Sequence, residues 1–337
     1  MPEVLVVDDS AFVRMVFGER WRARGYRVRT ARDGTEALRL VQERAPDLVT
    51  MDVEMPGLSG VETVRALRAA GFAGRIIMVS GRTVAGARVT LEALEAGADD
   101  FVPKPGHPGE IARVLDVLQE KFRALTERVR PDARPVGSSG RVRTRDFDGV
   151  VVVASTGGPK ALATLLADTP RPRLWLAIVQ HMPAGFTKPF AERLSRLAGW
   201  PVVEVPPDGR PVALAAGQAV LAPGGRHLRL TTARAWAEDG PRRHGVIPSA
   251  DVTIQDALAA MGPRLAVVVL TGMGEDGAGP AAEARRAGAT VVAEAAETAV
   301  VWGMPGAVVA RGGADAVWPL ARIRAWLREV LAGGTAG

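Results

Sequence analysis

Three stretches of the sequence place a reactive side chain directly after an apolar run. Ser155 follows VVVVA, His181 follows LWLAIVQ, and Glu275 and Asp276 come shortly after LAVVVL. A hydroxyl, an imidazole and a carboxylate are the groups of a catalytic triad, in which the imidazole takes the hydroxyl proton and the carboxylate orients the imidazole. We therefore consider acyl-transfer chemistry at Ser155 with His181 as the base and either acid as its partner.

Competing interpretations of Ser155 remain open at this stage. A Ser before glycines and a helical pattern is also a common helix N-cap. The order Ser, His, acid differs from the order of the α/β-hydrolases, and the G-x-S-x-G turn of those enzymes is absent. Of the four histidines only His181 follows an apolar strand-like run, so it is the base that the pattern favours.

A second constellation lies near the N-terminus. Asp8 and Asp9, Asp52, Ser80 and Lys104 each follow a short apolar run. Carboxylate oxygens suit Mg²⁺, the lysine and the hydroxyl suit phosphoryl oxygens, and a carboxylate can itself accept a phosphoryl group. A single aspartate at a strand end is more often a helix cap, but the whole set indicates an acidic phosphoryl-transfer pocket.

These side chains need parallel sheets to bring them together, and the pattern supplies two. Strand-like and helix-like stretches alternate through residues 1–122 as a (βα)5 domain and again through residues 147–337 as a doubly wound parallel sheet. Residues 123–146, rich in Pro, Gly, Ser and Arg, are typical of a flexible linker. The stretches Ala219–Ala222 and His227–Leu230, joined through Pro-Gly-Gly, predict a β-hairpin.

Composition narrows the function classes. The chain has 337 residues and no cysteine, which excludes disulfides, Cys-ligated zinc and a cysteine nucleophile. There is no signal peptide pattern and no apolar run of membrane-spanning length, so we expect a soluble, cytoplasmic protein without membrane insertion. The net charge is +6, but the arginines are scattered and not interleaved with aromatic residues. We therefore predict no nucleic-acid partner.

The segment Gly272–Gly277 also fits the dinucleotide-binding pattern G-x-G-x-x-G, and Glu294 ends the next strand-like run. Against this interpretation, Glu275 and Asp276 would place two carboxylates beside a pyrophosphate. The pattern also comes late in the domain, whereas the fingerprint usually opens it. A dinucleotide-dependent oxidoreductase stays as an alternative, as does a C-terminal domain that only binds a partner.

The motifs VVDDSAFVR, TMDVEMPGLSG, MVSG and FVPKP, in this order, resemble response-regulator receiver domains. The resemblance implies that Asp52 is the phosphoryl acceptor and that Asp8, Asp9 and Asp52 bind Mg²⁺. It also implies three switch residues, namely Ser80, Phe101 and Lys104. Ser59 departs from the family, which usually has Asp before Gly60, at a position that is normally structural.

The motifs ASTGGP, QHMP, LAPGG, LTGMGEDG and VVWGMP resemble the CheB-type chemotaxis protein-glutamate methylesterases. The resemblance implies that Ser155 is the nucleophile, His181 the base and acid, and Asp276 the orienting carboxylate. It further implies that the Met273 backbone N–H stabilises the oxyanion and that Thr156 neighbours the nucleophile.

Two segments of this region have no role that their sequence defines. Pro248–Val252 resembles a segment of the family, but its residue types alone assign it no chemistry. Glu294–Glu297 departs from the family pattern, which leaves the rim of the pocket undefined.

Together the two resemblances imply a phosphorylation-regulated serine esterase of bacterial chemotaxis. Its substrates would be glutamate methyl esters on the cytoplasmic helices of chemoreceptors, with deamidation of receptor glutamines as a second activity. Its phosphodonor would be a chemotaxis-type histidine kinase. Mg²⁺ is expected in the receiver domain, and no cofactor is expected in the esterase domain.

Overall fold

The structure, a computed structural model, describes residues 1–81, 83–126, 142 and 147–333. The chain divides into two compact units, Met1–Glu127 and Arg128–Gly337, which we describe one at a time. The last helix of the first unit continues to Thr126, beyond the domain limit predicted at 122. Most of the predicted linker at 123–146 lies outside the described residues.

The first unit is a five-stranded parallel sheet in the order β2-β1-β3-β4-β5. Its elements are β1 (Glu3–Val7), α1 (Ala11–Ala23), β2 (Arg27–Ala31), α2 (Gly34–Glu43), β3 (Leu48–Asp52), α3 (Gly60–Ala69), β4 (Arg75–Ser80), α4 (Val84–Ala96), β5 (Asp100–Pro103) and α5 (Ile111–Thr126). The predicted (βα)5 fold is confirmed. Strands β1 and β3 are buried along their whole length, as expected of inner parallel strands covered on both faces.

Ser59 begins helix α3 as its N-cap. The Ser59 hydroxyl accepts from Glu62 N at 3.3 Å, and Glu62 Oε2 accepts from Ser59 N at 2.9 Å. This reciprocal capping box satisfies two backbone N–H groups that the helix leaves unpaired. Serine therefore caps this helix in place of the usual aspartate.

The second unit contains a seven-stranded sheet in the order β15-β14-β13-β6-β7-β10-β8, in which neighbouring strands pair in parallel. Its elements are β6 (Gly149–Ala154), α6 (Gly158–Leu166), β7 (Trp175–Gln180), α7 (Thr187–Ala198), β8 (Val202–Glu204), β9 (Val212–Ala213), β10 (Ala219–Leu221), β11 (His227–Leu230), β12 (Arg234–Glu238), α8 (Ala250–Met261), β13 (Leu265–Val269), α9 (Ala278–Arg286), β14 (Thr290–Glu294), α10 (Gly303–Ala310), β15 (Ala316–Trp318) and α11 (Leu320–Leu331). The doubly wound parallel sheet is confirmed, with β13, β6 and β7 at its centre.

The hairpin predicted between Ala219–Ala222 and His227–Leu230 is wrong in its position. Strand β10 pairs in parallel with β7 and β8, whereas β11 pairs antiparallel with β12 in a separate three-stranded sheet. The Pro-Gly-Gly segment therefore leads from one sheet to the other. Gly224 packs there so tightly that an added Cβ would lie 2.3 Å from the Pro183 carbonyl oxygen. The strands β11 and β12 form a hairpin instead.

The central strands of the second unit consist of apolar residues with almost no exposed surface, such as Val151, Val153 and Val267. On one face they pack against α8, α9 and the apolar side of the small antiparallel sheet. None of the helices in the described parts of the chain is long and apolar enough to span a membrane.

Gly149 gives a test of this packing. It faces Trp175 across the β6–β7 pair, and an added Cβ would lie 2.2 Å from the indole ring. We expect Gly149→Ala to destabilise the second unit by about 1–3 kcal/mol, because a rigid buried ring must move. The measurement is the thermal unfolding midpoint of the full chain.

Gly279→Ala is the matched control, since Gly279 lies in α9 with only the end of the Arg311 side chain near an added Cβ, at 3.8 Å. Alanine is the better helix former, so this variant should be as stable as the parent or more so. Equal midpoints for Gly149→Ala and the parent would contradict the packing argument.

Candidate active site and acidic pocket

His181 and Asp276 form a buried pair at the carboxyl ends of β7 and β13. His181 Nε2 lies 2.8 Å from Asp276 Oδ2, and the two side chains are 8% and 2% exposed. Strand β6, which carries Ser155 at its end, lies between β7 and β13 in the sheet. The strand order therefore brings the predicted nucleophile, base and acid to one edge.

Asp276 accepts four hydrogen bonds. Besides His181, its donors are the Ser249 hydroxyl at 2.7 Å, Ala250 N at 2.6 Å and Asp251 N at 3.1 Å. Ala250 and Asp251 form the first turn of α8, where free N–H groups favour a negative charge. Burial alone would raise the pKa of Asp276, but these hydrogen bonds and the charge of His181 lower it below its ordinary value. The carboxyl group is therefore held in its ionised form.

The hydrogen bond to Asp276 also determines the tautomer of His181. An ionised carboxylate only accepts, so the proton of a neutral His181 must lie on Nε2. Nδ1 then carries a lone pair. Among the described residues this buried Nδ1 atom has no hydrogen-bond partner. The geometry thus leaves one basic nitrogen available next to the end of β6.

Ser155 lies half-buried in the turn that joins β6 to α6. Its N–H donates to Thr271 O at 3.0 Å, and its carbonyl accepts from Gly158 N at 2.8 Å. Gly157 has a φ of +78°, which glycine adopts without strain. The alternative interpretation of Ser155 as a helix cap is wrong, because the N-cap of α6 is Gly157 and no side chain caps this helix.

Thr271 connects three loops around Ser155. Its hydroxyl donates to Thr156 O at 2.9 Å and accepts from Val301 N at 2.9 Å, while its own carbonyl accepts from Ser155 N. Thr156 and Thr271 are both buried. Thr156 therefore contributes to the turn through its backbone, directly beside Ser155.

Glu294 is bound to the backbone of Thr271 in the interior and does not lie on a pocket rim. It is fully buried, accepts from Thr271 N at 2.8 Å and from the Thr298 hydroxyl at 3.0 Å, and its carbonyl accepts from Trp302 Nε1. Burial raises the pKa of this carboxyl group, with the two hydrogen bonds opposing the shift. In the sequence, the only sign of this role is an acidic residue at the end of a strand-like run.

Gly272 brings the predicted oxyanion donor close to Ser155. A Cβ on Gly272 would lie 2.8 Å from Ser155 Cβ and 2.4 Å from Met304 Sδ, so only glycine fits. The peptide is fixed by Gly272 N to Val301 O at 2.9 Å and Met304 N to Gly272 O at 2.8 Å. Within the described residues the next N–H, that of Met273, donates to no acceptor. It is a candidate oxyanion donor.

Two other histidines of this unit have partners away from Ser155. His227 is buried between Ser249 N and Pro241 O. His244 contacts Asp251 at 3.0 Å and lies near Asp276, so that these three residues present ligand atoms within 4.8 Å of one another. The Asp276 oxygens already accept four hydrogen bonds, which makes this group a poor metal site.

The acidic pocket of the first unit lies at the ends of β1 and β3. Oxygens of Asp8, Asp9 and Asp52 lie within 4.8 Å of one another, and Lys104 Nζ lies 2.6 Å from Asp52 and 3.6 Å from Asp8. Burial, together with the charge of Asp8, raises the pKa of Asp52 to about 6 despite Lys104. Three hard oxygen donors with excess negative charge fit a divalent cation such as Mg²⁺.

Ser80 and Phe101 are close in the fold to this pocket but buried. The Ser80 hydroxyl accepts from Thr90 Oγ1 at 2.6 Å and lies 3.2 Å from Gly86 O, so it is anchored on α4. Lys104 N donates to Ser80 O at 2.7 Å. Phe101 is 5% exposed. Ser80 and Phe101 thus lie on adjacent strands β4 and β5, and Lys104 directly follows β5.

Ser249 is a functional candidate that sequence reasoning missed. Its residue type and place before α8 predict an ordinary N-cap, yet it makes no cap bond and donates to Asp276 instead. Because Asp276 lies 27 positions away, no local pattern shows this bond. The resemblance of Pro248–Val252 to a family segment was the available signal.

The sequence matches the CheB methylesterase family over residues 150–327 and the response regulator receiver domain family over residues 4–116. It is 40% identical to the protein-glutamate methylesterase/protein-glutamine glutaminase of Nocardioides sp., covering 94% of this chain and 92% of that protein. A protein of the same name from Symbiobacterium thermophilum is also 40% identical, with 94% and 93% covered.

The crystal structure of the Thermotoga maritima CheB methylesterase catalytic domain superimposes with a TM-score of 0.51 at 34% identity, covering 55% of this chain and 100% of that one. These matches support the esterase interpretation over a partner-binding module or an oxidoreductase. The chain belongs to the CheB methylesterase family, with a response regulator receiver domain ahead of its esterase domain.

Proposed function

We propose that this protein is a phosphorylation-regulated protein-glutamate methylesterase that also deamidates glutamine side chains. The observation that carries the proposal is the buried pair of His181 and Asp276, which leaves Nδ1 unpaired at the strand next to Ser155. The names of the relatives indicate the substrate class, which is protein glutamate methyl esters and protein glutamines. The proposed substrates of this protein are methylated chemoreceptors.

In the first half of the reaction Ser155 Oγ attacks the carbonyl carbon of the methyl ester, and His181 Nδ1 takes its proton. The charge that develops on the carbonyl oxygen is stabilised by backbone donors, of which Met273 N–H is the candidate. His181 then gives the proton to methanol as the C–O bond breaks. Ionised Asp276 stabilises the transient imidazolium without taking its proton.

In the second half a water molecule attacks the acyl-enzyme while His181 Nδ1 accepts a proton. The proton returns to Ser155 Oγ as the ester bond to the enzyme breaks, and free glutamate is released. A glutamine side chain offers the same acyl carbon with ammonia as the leaving group. One site therefore serves both hydrolyses.

The acidic pocket is the proposed site of control. Asp52 accepts the phosphoryl group from a chemotaxis-type histidine kinase, and Asp8, Asp9 and Asp52 hold Mg²⁺. The ion supplies positive charge for the phosphoryl oxygens. Lys104, already 2.6 Å from Asp52, is placed to pair with a phosphoryl oxygen, and Ser80 to donate a hydrogen bond after leaving Gly86 O. These partners imply a cytoplasmic location.

The triad gives the first test of this proposal. We expect Ser155→Ala and His181→Ala to lower kcat for methanol release from methylated receptor by about 10⁵-fold or more. Asp276→Asn should lower kcat about 10⁴-fold. The Asn amide would face the N–H groups of Ala250 and Asp251 and would no longer orient the imidazole. Near-normal turnover by folded Ser155→Ala would rule out the mechanism.

Ser249 gives the second test. Ser249→Ala removes one donor from the buried Asp276 carboxylate, and we expect kcat to fall about tenfold, as the loss of a charged hydrogen bond suggests. Thr253→Val is the matched control. Thr253 lies in α8, the helix that Ser249 precedes, and its hydroxyl donates to Leu228 O and not to Asp276. Its kcat should equal that of the parent. Equal kcat values for both variants would show that Ser249 does not support the acid.

Phosphorylation gives the third test. The full chain should take up phosphate from acetyl phosphate only with Mg²⁺, and its methanol release should change on phosphorylation. Asp52→Asn should abolish both effects. Asp33→Asn is the control, because Asp33 caps α2 outside the pocket and Asn caps helices equally well. Labelling of Asp52→Asn at the level of the control would place the phosphorylation site elsewhere.

A further inference from the structure

One buried side chain connects the backbone of Ser155 with that of His181. Gln180 is the last residue of β7 and pairs with Ala154, the last residue of β6. Its Nε2 donates to Ser155 O at 2.9 Å and to His181 O at 3.1 Å. Both N–H groups of the Gln180 amide therefore donate to the backbone carbonyls of Ser155 and His181, the two residues on which the proposed reaction depends.

The orientation of this amide is determined by its surroundings. Two carbonyl oxygens accept and cannot donate, so the NH₂ end of Gln180 must face them. Oε1 is consequently turned away, and among the described residues it is buried without a partner. A buried carbonyl oxygen without a hydrogen bond destabilises the fold, and a methionine of the same length would avoid this cost.

Gly158 keeps the amide in this place. A Cβ on Gly158 would lie 2.0 Å from Gln180 Oε1, so the amide rests against the bare backbone at the start of α6. Gly158 N also donates to Ser155 O, which makes that carbonyl the acceptor of two hydrogen bonds. The turn that carries Ser155 is thus fixed from both α6 and β7.

We propose that Gln180 is a positioning residue for the esterase reaction, because its amide sets the backbone of Ser155 relative to that of His181. The inference rests on the proposed function. The reaction needs Ser155 Oγ at hydrogen-bond distance from His181 Nδ1, and misplacement by about 1 Å can cost about 10²-fold in rate. Loss of the amide removes this donor from His181 O, leaves Ser155 O with Gly158 N alone, and relaxes that distance.

The test compares Gln180→Met, which keeps the length and removes both donors, with Gln180→Glu, which keeps the shape but not the donor pair. For both variants we expect kcat for methanol release to fall about 10²-fold with KM within about twofold of the parent. The rate at which a fluorophosphonate probe labels Ser155 should fall in proportion, since that rate reports the nucleophile without receptor binding.

Val179→Ala is the matched control, because Val179 is the neighbouring buried residue of β7 and its apolar side chain has no donor for either carbonyl. It should lose thermal stability while keeping the labelling rate of the parent. Equal losses in Val179→Ala and Gln180→Met would overturn the proposal, as would a change confined to KM. Failure of both Gln180 variants to fold while Val179→Ala folds would make the amide purely structural.

The same assays separate this inference from the proposed function. If the parent releases no methanol and takes up no probe, the function itself fails. If the parent is active and the Gln180 variants match it, only the positioning role fails.

Discussion

The burial of one negative charge, that of Asp276, constrains the whole edge of the second sheet. Removing a carboxylate from water costs several kcal/mol unless donors replace the lost hydration. Here the donors come from β7 through His181 and from the start of α8 through Ser249, Ala250 and Asp251. The start of α8 and the base must therefore both reach this carboxylate. Strand β6 lies between β7 and β13 in the sheet, so Ser155 at its end comes to the same edge.

The first unit buries a carboxylate in the same topological place with the opposite electrostatic result. Asp276 has four donors, and its pKa is lowered. Asp52 has Lys104 on one side and Asp8 on the other, and burial raises its pKa to about 6. One carboxylate is saturated and suited to hold an imidazole in place. The other faces excess negative charge despite Lys104, which suits its proposed roles as cation ligand and phosphoryl acceptor.

The sequence predicted most of what depends on strand ends. Runs such as VVVVA identify inner parallel strands, and the residues after them must gather at one edge, so the positions of Ser155, His181 and Asp276 followed from topology. The choice between Glu275 and Asp276 did not, because both follow the same strand. The structure separates them, since Glu275 is exposed and pairs with Arg311.

Features that depend on distant partners were beyond the sequence. The apolar runs on either side of Pro-Gly-Gly have the local pattern of a hairpin. The neighbours of each strand in the fold decide the pairing, however, and β10 pairs with β7 and β8. Ser249 has the residue type and place of a helix cap, and only the fold shows that its hydroxyl serves Asp276. The role of a side chain could be predicted where the backbone alone positions that side chain. It could not be predicted where the role depends on a contact with another, distant side chain.

The contact between the start of α8 and the loop that follows β13 is reciprocal. Asp276 accepts from Asp251 N, and Asp251 Oδ1 in turn accepts from Gly277 N at 2.7 Å. Each aspartate thus accepts a backbone N–H from the other's segment, across 25 and 26 positions of sequence. In chimeras between relatives, the segment 249–251 and the segment 276–277 consequently behave as a single module. A crossover placed between them would pair a loop with a foreign helix start, whereas crossovers on either side of residues 249–277 leave the module intact.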